Sequence, residues 1–118
     1  MDSLMYHNPR CSKSRQTLAL LDQRGIQPTI VEYLKEPPSV EELQNILQML
    51  GVAPRDLMRT KEAAYQEQQL DEPSLTNEQL LDAMVRTPVL IERPIVIIDG
   101  RAAVGRPPET VLSLLESS

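Results

Sequence analysis

The run Ile95-Val96-Ile97-Ile98-Asp99-Gly100 constrains this chain more than any other stretch. A short, continuous β-branched run favours a buried strand. Asp-Gly directly after it favours a two-residue turn with positive φ at both positions, so the chain must double back. Ala102 to Val104 is the expected return strand. The N-terminal end requires the opposite pairing. Ser3 to Tyr6 is short and apolar. Thr17, Leu18, Leu20 and Leu21 recur at near-helical spacing before Gly25, and Thr29-Ile30-Val31-Glu32-Tyr33 is again rich in β-branched residues. Strand, helix and strand within about thirty residues predict a right-handed βαβ unit with parallel strands.

The stretch between these ends reads as helical. Pro37-Pro38 breaks the chain, and Ser39 with Glu42 forms a capping-box signature that Thr76 with Gln79 repeats. Leu43, Ile46, Leu47 and Leu50 share one face and end at Gly51. Leu80, Leu81, Met84 and Val85 make a second stripe before Pro88. Pro54 starts a short turn carrying Leu57 and Met58, and Lys61 to Gln68 reads as a short exposed helix around Tyr65. Gly105-Arg106-Pro107-Pro108 opens a last helix with Val111, Leu112, Leu114 and Leu115, since proline suits a first turn that does not need its N–H. The order β-α-β, helical block, β-β-α predicts the α/β class and a thioredoxin-like arrangement. A mixed four-stranded sheet carries βαβ and ββα units, with a helical insertion at about residues 39–87 before the third strand. The 118 residues fit one domain spanning 1–118 with one core.

Phe and Trp are absent, so that core must be built from Leu, Ile, Val and Met. The formal charge of −5 argues against nucleic acid or an anionic membrane as partner, because both want a basic face. No apolar run approaches the ~20 residues that span a bilayer, and no basic-then-apolar leader is seen at the N-terminus. One cysteine and one histidine are too few for a Cys/His zinc site, and no bound cofactor or metal is expected. A single cysteine offers no disulfide framework and fits a reducing compartment, the cytoplasm.

That cysteine, Cys11, sits in Tyr6-His7-Asn8-Pro9-Arg10-Cys11-Ser12-Lys13-Ser14-Arg15, where the first strand meets the first helix. A thiol at a helix start faces free backbone N–H groups, which favour the thiolate, the reactive form. Lowering a thiol pKa by two units from ~8.5 requires roughly 2.7 kcal/mol. A helix terminus supplies about 0.3–1 kcal/mol, up to ~2 in good geometry, so cations or direct N–H bonds must add to it. Arg15 is one helical turn on, Lys13 is expected to point to solvent, and His7 ends the preceding strand. The competing reading is a buried, inert cysteine, since free cysteine is among the most buried residue types. Polar and charged flanks from His7 to Arg15 make a poor setting for a core side chain. A lone thiol that cycles chemically must borrow its second thiol from another molecule.

Three arginines complete the pattern. Arg59 follows Leu57-Met58, Arg93 precedes Pro94 and the strongest strand, and Arg106 precedes Pro107-Pro108 at a strand-to-helix junction. Any one of them read alone is an ordinary solvated arginine. Arginine suits tetrahedral oxyanions because its planar fork donates two hydrogen bonds to two oxygens. In thioredoxin-like folds a cis-proline stands opposite the reactive thiol, and Pro94 falls at that place.

Four segments carry a resemblance: His7 to Arg15, Leu57-Met58-Arg59, Glu92-Arg93-Pro94-Ile95-Val96 and Gly105-Arg106-Pro107-Pro108-Glu109. In that order, over nearly the whole chain, they resemble the glutathione- and glutaredoxin-coupled arsenate reductases, and a reductase-like branch of that family in particular. The resemblance implies that Cys11 is the nucleophile and that Arg59, Arg93 and Arg106 bind the oxyanion. It implies that His7 helps keep the thiol ionised, with Arg15 beside it in the catalytic loop. It further implies arsenate or a similar oxyanion as substrate, glutathione as co-substrate and glutaredoxin as partner. Monomer is the simplest expectation. Family members typically read Cys-Gly-Thr-Ser-Arg where this chain reads Cys11-Ser12-Lys13-Ser14-Arg15.

Other classes remain open at this point. An Spx-like transcriptional regulator would bind RNA polymerase and switch through a Cys-x-x-Cys pair, but Ser14 occupies the second position. A monothiol glutaredoxin-like thiol transferase or iron–sulfur carrier would use the same Cys-x-x-Ser spacing. Low-molecular-weight phosphatase loops place arginine six residues after cysteine, which Arg15 does not match.

Overall fold

A computed structural model describes residues 2–115. Four strands form one mixed sheet: β1 (Ser3–Tyr6), β2 (Thr29–Val31), β3 (Ile95–Ile98) and β4 (Arg101–Val104), in the order β2-β1-β3-β4. β1 runs parallel to β2, with Met5 opposite Ile30, and antiparallel to β3, with Met5 opposite Val96. β3 and β4 pair antiparallel, with Val96 opposite Ala103. The turn between them places Asp99 at φ 49° and Gly100 at φ 79°, the two left-handed positions that Asp-Gly tolerates. The Asp99 side chain accepts a 3.0 Å bond from Asp2 N–H, tying the hairpin to the start of β1.

Contacts gather the chain into two compact units, Met1–Glu36 with Arg93–Ser118 and Pro37–Glu92. The first holds the sheet and α1 (Ser12–Gln23). Its core is Met5, Leu21, Val96, Ile98, Ala103, Val111 and Leu114, with Leu18, Ile26 and Leu115 packed against it. These are the apolar residues expected of a chain without Phe or Trp. β2 is shorter than the five-residue run predicted for it and lies at the sheet edge, with Ile30 exposed.

The last helix differs from expectation. Residues Pro108–Leu115 form a 3-10 helix rather than an α-helix. Its buried residues, Pro108, Val111 and Leu114, are spaced by three, which matches the three-residue turn of a 3-10 helix. Two prolines at its start remove two N–H donors, and Thr110 N–H bonds Pro107 carbonyl at 3.0 Å in the tighter pattern.

The second unit contains α2 (Val40–Leu50), α3 (Ala63–Glu67) and α4 (Asn77–Arg86). Both predicted capping boxes are present. Ser39 and Glu42 exchange bonds of 3.1 Å at the start of α2. Thr76 and Gln79 do the same at 2.8 and 3.2 Å for α4. α2 packs on α4, burying Leu43, Ile46 and Leu47 with Leu80, Leu81 and Met84. α3 is shorter than the polar stretch suggested, and its Tyr65 is buried rather than exposed. No helix among the described residues is long and apolar enough to cross a membrane.

Candidate active site

β1 ends at Tyr6, and the loop 7–11 turns the chain into α1. Cys11 is the N-cap of that helix, in an extended conformation with φ −93° and ψ 124°. Its carbonyl accepts the first helical bond, from Arg15 N–H at 3.0 Å, and its own N–H bonds Asn8 carbonyl at 3.0 Å. The side chain is therefore directed by the helix start, as the sequence pattern required. Its exposure differs from the polar, open setting inferred from the flanks, because the residue is only 8% accessible. Cys11 is not among the residues of the cluster built around Met5, Leu21 and Val96.

Burial alone would push the thiol pKa up. Its effect is outweighed by Ser14 N–H, the charge and hydrogen bond of the Arg93 guanidinium, and Lys13 N–H, so the thiol lies below its ordinary value. The sulfur closes no capping bond of full geometry, so the two N–H groups act on it as weak donors. Arg106 adds a second guanidinium, with Nη2 3.9 Å from Sγ. Its Nε donates to Arg93 carbonyl at 2.8 Å, so the two arginines are built onto one another. Both precede a cis proline, Arg93-Pro94 and Arg106-Pro107. The first isomer was expected from the fold and the second was not.

Gly105 sets the spacing behind this pair. Its N–H bonds Pro94 carbonyl at 2.9 Å. A Cβ at position 105 would stand 2.5 Å from Thr17 Oγ1 and 2.8 Å from Pro94 Cγ. Only a residue without a side chain lets the end of β4 approach α1 and Pro94 this closely. Thr17 is fully buried and is held by a 2.8 Å bond from its hydroxyl to Lys13 carbonyl.

His7 is buried, and its Nδ1 lies 2.7 Å from Ser14 Oγ. That oxygen also accepts from Asn8 N–H at 3.0 Å. Burial lowers the His7 pKa most; Glu32 opposes this and Arg15 adds to it, so the ring is neutral at pH 7. Its influence on the sulfur is therefore not that of a nearby positive charge. Arg15 sends its Nη1 to Pro9 carbonyl at 2.9 Å, bracing the loop from outside. Lys13 is exposed, as expected. Arg59 belongs to the second unit, where its guanidinium meets Glu62 at 2.6 Å and Glu92 at 3.9 Å.

The structure thus brings Cys11, Arg93 and Arg106 together and links His7 to the loop through Ser14. The sequence reading overlooked Ser14, Thr17 and Gly105 as parts of the site. Ser14 was detectable, since the third residue after an N-cap presents its N–H to the cap. Thr17 and Gly105 carry no local signal, because their meeting is a matter of tertiary packing. Among the described residues no group of three or more His, Cys, Asp or Glu could hold a metal.

A thiol at the first helix start of a βαβ unit, with one arginine just before β3 and one just after β4, defines a thioredoxin-like protein with a thiolate–guanidinium centre. The chain belongs to the ArsC family, whose model matches residues 6–114. It is 51% identical over 116 residues to an arsenate reductase of Haemophilus influenzae, covering 98% of this chain and 100% of that one. It is 50% identical over 112 residues to the uncharacterized protein YfgD of Escherichia coli (strain K12), covering 94% of each. The solved arsenate reductase from Vibrio cholerae superposes with a TM-score of 0.94 at 51% identity, covering 96% of this chain and 97% of that one.

Proposed function

We propose that this protein reduces arsenate to arsenite through the Cys11 thiolate, with glutathione and glutaredoxin supplying the electrons. The observation that carries the reading is the buried Cys11 sulfur with the Arg93 and Arg106 guanidiniums upon it. A tetrahedral oxyanion such as arsenate, a mixture of monoanion and dianion at neutral pH, matches such donors, and a thiolate beside them is a nucleophile for its central atom. Sγ attacks As(V), and one arsenate oxygen leaves as water after protonation. Arg93 and Arg106 hold the remaining oxygens as charge shifts, with their donors already oriented. The resemblance adds Arg59 as a third oxyanion arginine and Arg15 to the catalytic loop.

Glutathione thiolate then joins its sulfur to Cys11 Sγ. The S–As bond breaks, its electron pair stays on arsenic, and arsenite departs. Two thiols have lost two electrons and As(V) has become As(III). A Cys11–glutathione disulfide remains, and thiol exchange with glutaredoxin restores the thiol. A lone cysteine needs such a borrowed thiol, and that need supports a reading in which the protein works in a reducing compartment such as the cytoplasm.

The test is a glutathione/glutaredoxin-coupled assay with arsenate, phosphate and selenate, run on the wild type and on Cys11→Ser. Arsenate turnover that vanishes in Cys11→Ser, with the folded spectrum retained, is the expected result. Wild type that alkylates rapidly at neutral pH yet reduces no arsenate would overturn the reading. Turnover that survives in Cys11→Ser would do so as well.

A further inference from the structure

Ser14 is fully buried, polar, and tied to both sides of the reactive loop, yet the chemistry above gives it no part. Its hydroxyl oxygen takes Asn8 N–H at 3.0 Å and lies 2.7 Å from His7 Nδ1, a bond to which the hydroxyl proton is assigned. That assignment puts the His7 proton on Nε2. Three residues from different places are thereby joined at one oxygen: the residue after β1, the loop, and the first turn of α1. The Ser14 N–H, at the third position of α1, is one of the two backbone groups that lower the Cys11 thiol pKa, without closing a full cap bond to Sγ.

We propose that Ser14 is a positioning residue for Cys11: its hydroxyl, clamped between the His7 ring and Asn8 N–H, holds the first turn of α1, with its free backbone N–H groups, in place beside the sulfur. The proposal rests on the reading of Cys11 as the nucleophile and adds how the loop is kept in register. His7 then serves as a hydrogen-bonding partner of Ser14 and not as a cation beside the thiolate. The charged groups acting on the assembly are accounted for. Arg93 and Arg106 act on the sulfur, whereas the charges of Glu32 and Arg15 act on the imidazole. The sulfur keeps its two guanidiniums when Ser14 is altered, so the clamp contributes only part of the thiolate's stabilisation.

The experiment measures the pH dependence of iodoacetamide alkylation of Cys11 in the wild type and in Ser14→Ala. The variant is expected to lower the thiolate fraction at pH 7 by about three- to tenfold, the size expected when a donor to a charged group is misdirected. A second measurement needs no variant. The chain has one histidine, so its imidazole nitrogens can be followed by NMR without ambiguity. Across the pH range in which Cys11 ionises, the ring should stay neutral with its proton on Nε2. A Ser14→Ala profile superimposable on the wild type would overturn the proposal, as would a wild-type imidazolium that titrates together with the thiol. If the wild-type thiol itself ionises at the ordinary value, the nucleophile reading fails instead, so the two failures are distinguishable.

Discussion

Gly105→Ala is the most demanding test of how the arginines are placed. The added methyl would begin 2.5 Å from Thr17 Oγ1, 2.8 Å from Pro94 Cγ and 3.2 Å from Thr17 Cγ2. Ordinary contact begins at 3.4 Å, so about 0.9 Å must be found against Thr17 alone. Neither neighbour yields easily. Thr17 is fully buried, and rotating it breaks its bond to Lys13 carbonyl. Pro94 is a buried ring whose carbonyl receives Gly105 N–H. Overpacking of this kind costs about 1–3 kcal/mol, and the lost Thr17 bond places the expected value at the upper end, about 2–3 kcal/mol. Arg106 is the next residue, so the shift is passed to a guanidinium 3.9 Å from Sγ. Displacement of a positioned group by about 1 Å can cost up to a hundredfold in rate, and a fall in kcat/KM of about tenfold or more is expected for arsenate.

Urea unfolding measures the stability loss, and the coupled assay measures the rate. Thr17→Ala in the same chain removes two of the three close contacts, so the double variant should lose less than the sum of the singles, with a coupling of about 0.5–2 kcal/mol. A Gly105→Ala protein with unchanged midpoint and unchanged kcat/KM would refute the reasoning. So would strict additivity with Thr17→Ala.

Two further outcomes follow from the electrostatics. Arg93→Ala removes both a charge and a hydrogen bond from the thiolate, so the alkylation profile should move to higher pH and the arsenate KM should rise; an unmoved profile would remove Arg93 from the sulfur's surroundings. His7 has its pKa depressed in the folded state by burial above all. Its contribution to stability is therefore complete above its ordinary value of 6.5 and is lost as pH falls through the folded value. Thermal unfolding should show Tm declining below about pH 6.5 in the wild type and a shallower decline in His7→Gln, with equal slopes counting against a buried neutral imidazole.

The order of elements, both capping boxes, the Asp99-Gly100 turn and the junction that holds Cys11 were all written in local chemistry. Each depends on residues within about four positions of one another, where backbone geometry and hydrogen bonding act without help from the rest of the chain. Local pattern could not decide between an α-helix and a 3-10 helix after Pro107-Pro108. The choice went with the three-residue spacing at which Pro108, Val111 and Leu114 meet the core. Nor could it tell that Cys11 is buried yet ionisable. That outcome is a balance between desolvation and donors brought from residues 13, 14, 93 and 106, and most of the sequence distance in that balance is closed only by the sheet. Pairing β1 with β3 brings the chain after residue 93 alongside the chain before residue 11. Gly105 matters for the same reason. Its need for no side chain comes from Thr17 and Pro94, neighbours that exist only once α1 and the hairpin have packed.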